Sequence, residues 1–176
     1  MRDEIRATID LPDGAELFAV TPGAARIATG WEWDGAPDRP AAARLRRITV
    51  GVDGGRGAAA ALQAAARLAL AHAARLNLIA VAELGLGAPG RAHPDELRRL
   101  SRRLAAASEA LAGIEVESEL REGLPDRILV DLSRAADLLV LGSRAAYGDD
   151  GRVVLGSVSG RVLRDAPCPV LVVPAP

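Results

Sequence analysis

The chain has 176 residues, 49% of them hydrophobic and 26% charged, which suits one soluble domain with a sizeable core and a modest appendage. A net charge of −1 and an aromatic content of 2% supply neither the field nor the stacking surface that nucleic acid or an anionic membrane would require. Every basic residue is arginine, which excludes chemistry needing a lysine amine, such as a Schiff base or a P-loop; the single cysteine, Cys168, makes no internal disulfide; and without a charged-then-apolar leader or a run of about 18 apolar residues the cytoplasm is the expected address.

Residues 1–46 read as an extension and linker ahead of a domain over 47–176. The extension mixes candidate short strands at 7–11, 16–21 and 25–29 with Trp31, Trp33 and a Pro/Ala/Arg linker over 37–44. Within it, Glu16-Leu17-Phe18-Ala19-Val20-Thr21-Pro22 echoes Val170-Leu171-Val172-Val173-Pro174 near the other end of the chain. That echo suggests pairing with an exposed sheet edge, because unpaired edges are usually covered.

From residue 47 short apolar runs alternate with longer amphipathic ones, the pattern of strands and crossover helices in a doubly wound α/β domain with a parallel sheet. A strand over 48–52 leads through Asp53-Gly54-Gly55 into a helix over 58–75, with Leu62, Ala66, Ala69, Ala73 and Leu76 expected on its inner face. A second strand at 78–82 precedes a Gly/Pro-rich stretch, and Pro94 opens a helix marked by Leu97, Leu100, Leu104, Ala107 and Leu111, stopped by Gly113. The alternation over 114–120 predicts a strand at or near an edge; Pro125 then opens a helix with Ile128, Leu132 and Ala135 inward. A wholly apolar strand at 137–141 is expected at the centre, followed by a loop, a helix over 157–165 and a last strand over 170–173. That last strand leaves an edge for a symmetric partner, so a homodimer through it is expected unless the extension blocks it.

Open parallel sheets bind ligands beyond the carboxyl ends of their strands, which directs attention to the loop from Gly142 to Ser157. Its glycines allow close approach of a pyrophosphate, and the Gly156-Ser157 step begins a helix whose free N–H groups favour an anion; Ser157 and Ser159 add hydroxyls. The plainer alternative is a flexible glycine loop with Ser157 as an ordinary helix cap.

Three blocks bear on the choice: Ile48-Thr49-Val50-Gly51-Val52-Asp53-Gly54; Leu138-Leu139-Val140-Leu141-Gly142-Ser143-Arg144; and Leu155-Gly156-Ser157-Val158-Ser159 followed by Ala166-Pro167-Cys168-Pro169-Val170-Leu171-Val172-Val173. Together they resemble the universal stress protein family, in the family's order and across 47–174. The resemblance implies a five-stranded parallel sheet ordered 3-2-1-4-5 between helices, and an adenine nucleotide, ATP or a relative, with Mg²⁺ as a candidate counter-ion. The family's nucleotide-binding branch carries Gly, two residues, Gly, nine residues, Gly, then Ser or Thr. Carried over, Gly142, Gly156 and Ser157 become phosphate contacts, with Arg144 in the same loop and Val158 and Ser159 just behind; Asp53 falls beside ribose and adenine, and Val81 near the adenine. Ala145 stands where the second glycine belongs, and ten residues rather than nine separate it from Gly156. Gly148 and Gly151 offer replacement freedom, Asp149 and Asp150 bring negative charge, and Arg144 and Arg152 offset it.

Other signals carry less. Gly85-Leu86-Gly87-Ala88-Pro89-Gly90 satisfies G-x-G-x-x-G, but no helix starts within it, and a flap beside the site fits better. Neither Ser157 nor Ser159 completes a nucleophile elbow, and a receiver-type phosphotransfer site would need a lysine. His72 and His93 lack a second ligand at metal spacing, Cys168 reads as a small buried hydrophobe, and Arg98, Arg99, Arg102 and Arg103 read as a solvated helix face. The expectation is therefore a regulatory protein binding ATP or a related nucleotide and not an efficient enzyme, since no base or nucleophile is placed to act on a phosphate. The alternatives are a ligand-free interaction and dimerisation module, or a hydrolase whose catalytic residues lie on the extension.

Overall fold

The computed structural model describes residues 16–18, 45–84, 91–143, 146–147, 153–154 and 156–174. In chain order the elements are β1 (Glu16–Phe18), β2 (Arg47–Gly51), α1 (Arg56–His72), β3 (Arg75–Ala82), α2 (Pro94–Glu109), β4 (Val116–Glu122), α3 (Pro125–Ser133), β5 (Leu138–Ser143), β6 (Ala146–Tyr147), β7 (Val153–Val154), α4 (Ser157–Asp165) and β8 (Val170–Pro174). Five parallel strands lie in the order β4-β3-β2-β5-β8, the 3-2-1-4-5 arrangement expected for the domain, and β1 adds a sixth strand, antiparallel, on the outer edge of β8. The short β6 and β7 pair with each other as a separate ribbon inside the loop between β5 and α4.

Strand and layer follow from side-chain alternation. In β5, Leu138 and Val140 join one core layer while Leu139 and Leu141 join the other, so a run with no polar interruption is what burial on both faces demands. The first layer holds Ile48, Val50, Leu76, Leu78 and Leu171 against α1 and α2; the second holds Ile79, Val170 and Val172 against Leu129 of α3 and Val162 and Leu163 of α4. The start of β2 is tied to β5 by Asp137, whose Oδ2 accepts from the backbone N–H groups of Arg46 and Arg47 at 2.9 and 3.0 Å.

The inner face of α1 differs from the expected one by a rotation. Ala69 is buried as expected, but so are Ala61, Ala65 and Leu68, whereas Leu62 and Ala66 are only partly buried. An alanine-rich helix offers little contrast between faces, and what decides its rotation is how closely small side chains let it approach the sheet. The helix also ends sooner than expected: Ala73 adopts a left-handed conformation (φ 51°), so Leu76 becomes part of β3. Of the candidate strands in the extension, 16–18 is a strand; 7–11 and 25–29 lie outside the described residues. Because β1 pairs with Val170–Val172, the edge expected to serve a homodimer is occupied there by the same chain. Among the described residues no helix is long and apolar enough to cross a membrane.

The central position of β5 has a measurable consequence. Leu139 is fully buried, and Leu139→Ala is expected to lower the unfolding free energy by about 2–5 kcal/mol, read as a fall in urea midpoint at unchanged slope. A loss below about 1 kcal/mol would contradict the packing described.

Candidate functional site

A parallel sheet brings the carboxyl ends of its strands and the amino ends of its helices to one rim, and here glycine makes the junction tight. A Cβ at position 142 would overlap the backbone of Gly57 and Ala58, so the end of β5 and the first turn of α1 approach as only glycine permits. Beside it the chain leaves β2 through Val52 and Asp53 and turns at Gly54, whose φ is +78°. The Asp53 carboxylate closes this turn, Oδ1 accepting from the Gly55 N–H at 2.7 Å, and leaves Oδ2 uncommitted in that contact.

Three helices begin at this rim without a side-chain cap: α1, with Gly55 at its cap position, α3, with Leu124, and α4, with Gly156. Ser157 is thus the first helical residue rather than the cap. The first-turn N–H groups of α4, those of Ser157, Val158 and Ser159, have no partner within the helix, whose ladder starts with Gly160 N–H donating to the Gly156 carbonyl at 2.9 Å. The Ser159 hydroxyl is buried and donates to that same carbonyl at 3.1 Å, so its proton is used inside the helix; Ser157 is exposed. Gly156 has an ordinary φ of −64°, and a Cβ there would meet, among described atoms, only Ser159 Oγ at 3.6 Å. Among the described residues, neither backbone strain nor packing requires glycine at 156, in contrast to 142.

These residues line one cleft of about 310 Å³, near the lower end of the range for small-molecule sites. Of the positions singled out from sequence, Asp53, Val81, Gly142, Gly156, Ser157, Val158 and Ser159 all lie on its wall. Arg144 and Ala145, like Asp149, Asp150 and the glycine-rich flap over 85–90, lie outside the described residues. Structure adds an apolar wall of Ile79, Leu100, Leu129 and Leu141, and a charged mouth of Glu83, Glu96 and Arg99.

The arginine face of α2 needs correction. Arg98 pairs with Asp95 on the surface as expected, but Arg99 lines the cleft and Arg103 reaches across to the β2–α1 turn, its Nη1 donating to the Asp53 carbonyl at 2.7 Å with the guanidinium lying on Gly54. The available sequence signal was spacing: Arg99 and Arg103 stand one turn apart and flank the buried Leu100. Two other residues also find structural roles: His93 caps α2, its Nδ1 accepting from the Asp95 N–H at 3.2 Å, and Cys168 is buried. At the cleft's far side, burial pulls the Asp126 carboxyl upward, but the hydrogen bond from Arg161 at 3.2 Å and its charge outweigh this and hold it below the ordinary aspartate range, tying α3 to α4.

The two glycines should respond differently to a methyl group. Gly142→Ala is expected to cost about 1–3 kcal/mol through overpacking against α1, and Gly156→Ala less than about 1 kcal/mol, the ordinary penalty at a helix cap; equal losses in chemical denaturation would refute the assignment of 142 to close packing. Arg103→Met keeps the aliphatic stem and removes the donor. It should speed amide exchange at Gly54 and Gly55 at least severalfold with little change in melting temperature, and unaltered exchange would mean that the turn holds itself.

Comparison with known proteins agrees with this architecture. A sequence model of the universal stress protein family matches residues 44–174. A universal stress protein of Thermus aquaticus is 35% identical over 136 residues, 73% of this chain and 98% of that protein. One from Methanocaldococcus jannaschii is 41% identical over 66 residues, 36% of this chain and only 38% of that protein. Among solved structures, a universal stress family protein from Burkholderia pseudomallei superposes with a TM-score of 0.58 at 31% identity, covering 75% of this chain and 98% of the other. A universal stress protein crystallised in complex with cAMP shares the fold, with a TM-score of 0.57 at 22% identity over 76% of this chain and all of the other. The chain belongs to the universal stress protein family.

Proposed function

We propose that this chain is a stress-type regulatory protein that binds ATP or a related adenine nucleotide in the cleft at the carboxyl end of its sheet. The observation that carries the reading is the convergence on one cleft of Asp53, Val81, Gly142 and the Gly156–Ser157 helix start, contributed by four separate segments of the chain. Glycine at 156 adds to it, because no packing among the described residues demands it there and a phosphate approaching the backbone would. A fold neighbour solved with cAMP supports the same chemistry, since that ligand is itself an adenine nucleotide.

Each part of such a ligand has a counterpart. The base fits the apolar wall of Ile79, Val81 and Leu129. The Oδ2 atom of Asp53 is available to a ribose hydroxyl, since Oδ1 is engaged with Gly55. The phosphates fall to the free N–H groups of Ser157 and Val158, the Ser157 hydroxyl and the positive end of α4. Among the described lining residues the charges are unfavourable to a polyphosphate: Asp53, Glu83 and Glu96 face a single cation, Arg99. Mg²⁺ bound with the nucleotide, and Arg144 from the loop, are the natural compensation. The role proposed for the cleft is binding rather than turnover.

Isothermal titration with ATP tests the reading. Heat and saturation below millimolar ligand are expected, with affinity rising on addition of Mg²⁺; absence of binding at millimolar ATP with Mg²⁺ would sink it. Gly156→Val should abolish binding, and Ala145→Gly should strengthen it. An unchanged affinity in Ala145→Gly would show that the loop bypasses the missing glycine.

A further inference from the structure

Asp53 offers the cleft one carboxylate oxygen, and what that oxygen can contribute depends on how firmly its turn is held. The turn is tied at its two ends: Val52 N–H donates to the Ile79 carbonyl at 2.8 Å, and the Gly55 carbonyl accepts from Ala58 N–H at 3.1 Å as α1 begins. Between them stands Gly54 at φ +78°, where glycine visits either sign of φ at little cost, so the middle of the turn is its softest part. The Asp53 side chain does not anchor it to the rest of the molecule, because Oδ1 accepts from Gly55 N–H two residues on, within the same turn.

Arg103 supplies the tie from outside. Its Nη1 donates to the Asp53 carbonyl at 2.7 Å, fifty residues away in sequence, and its guanidinium lies so close over Gly54 that a Cβ there would overlap Nη1, Cζ and Nε. Leu100 and Leu104, to either side of it on α2, are buried, so the arm starts from a fixed base. The bond goes to the carbonyl rather than the carboxylate, which leaves Oδ2 to the cleft. Arg103 is not among the described residues that line the cleft, so its influence on a ligand passes through Asp53.

We propose that Arg103 is a positioning residue for sugar recognition: by clamping the Asp53–Gly54 turn it holds Asp53 Oδ2 in place for a ribose hydroxyl, and so sets a preference for ribonucleotides over their deoxy analogues. This role rests on the adenine-nucleotide reading of the cleft and adds to it the source of sugar selectivity. A hydrogen bond depends on direction as well as distance, and an acceptor on a loose turn yields little of it until the ligand itself orders the turn. A hydroxyl bonded to a well-held carboxylate is worth about tenfold or more in affinity, and that factor is what the clamp controls.

The test titrates the full chain and Arg103→Met, which keeps the aliphatic stem, with ATP, 2′-deoxy-ATP and 3′-deoxy-ATP in the presence of Mg²⁺. The unaltered chain should bind ATP about tenfold more tightly than the weaker deoxy analogue. Arg103→Met should lower ATP affinity to near that of this analogue, while the analogue itself moves by less than about twofold. In an Asp53→Ala background Arg103→Met should cost nothing further, since the two residues act as one unit. A purely structural role would weaken all three ligands by the same factor, and that result overturns the assignment, as does equal binding of ATP and both analogues by the unaltered chain. ATP binding with a preference that survives in Arg103→Met removes the role of Arg103 and leaves the nucleotide site standing; no binding of any of the three at millimolar concentration to the unaltered chain removes both.

Discussion

The contact between the end of β5 and the first turn of α1 is the constraint on which the cleft depends. Gly142 faces the Gly57–Ala58 backbone with no room for a side chain, and this sets how far α1 stands from the sheet. The spacing in turn favours the alanine face of α1, with Ala61 and Ala65 buried, and fixes where β2 must release the chain to start that helix. Asp53 and Gly54 occupy the short step between the two. The same glycine that gives the fold its tight joint also forms part of the cleft wall, so fold stability and site geometry are coupled at that position.

Around this joint the site is built mainly from backbone. The amino ends of α1 and α4 carry glycine at their cap positions, leaving peptide N–H groups and helix dipoles where a capping side chain would otherwise sit. Side chains then tune the arrangement: Asp53 closes its own turn, Arg103 braces that turn from outside, and Arg99 supplies positive charge at the mouth. Exposed peptide N–H groups at helix starts are suited to small anionic groups, while the carboxylates of Glu83 and Glu96 add negative charge at the mouth.

The sheet edges show how one architecture handles the same liability in two ways. Charge along β4 is a permanent defence, costing nothing in assembly because nothing is meant to pair there. On β8 the cover is a strand from the extension, Glu16–Phe18. The contrast follows from burial: β8 is packed between helix layers and has to be apolar on both faces, so charge is denied to it and cover has to come from another segment.

The alternation of strands and helices and the approximate positions of four helices and five strands were legible in the sequence, because alternation and Pro94 and Pro125 at helix starts are local signals, while the glycines at 142 and 156 and the family resemblance marked part of the cleft wall. The rotation of α1 was not, since a face of alanines carries almost no periodic contrast. Nor was the role of Arg99, which lines the cleft, or of Arg103, whose partner Asp53 lies fifty residues away in sequence. An arginine on a helix reads as solvated until the neighbouring turn is in place. Local pattern was enough for the five strands and four helices of the domain and for the helix start at Gly156-Ser157, because each is written in neighbouring residues. How close α1 comes to β5, which arginines turn toward the cleft, and the pairing of β1 with β8 emerge from the folded chain, because each depends on distances between segments remote in sequence.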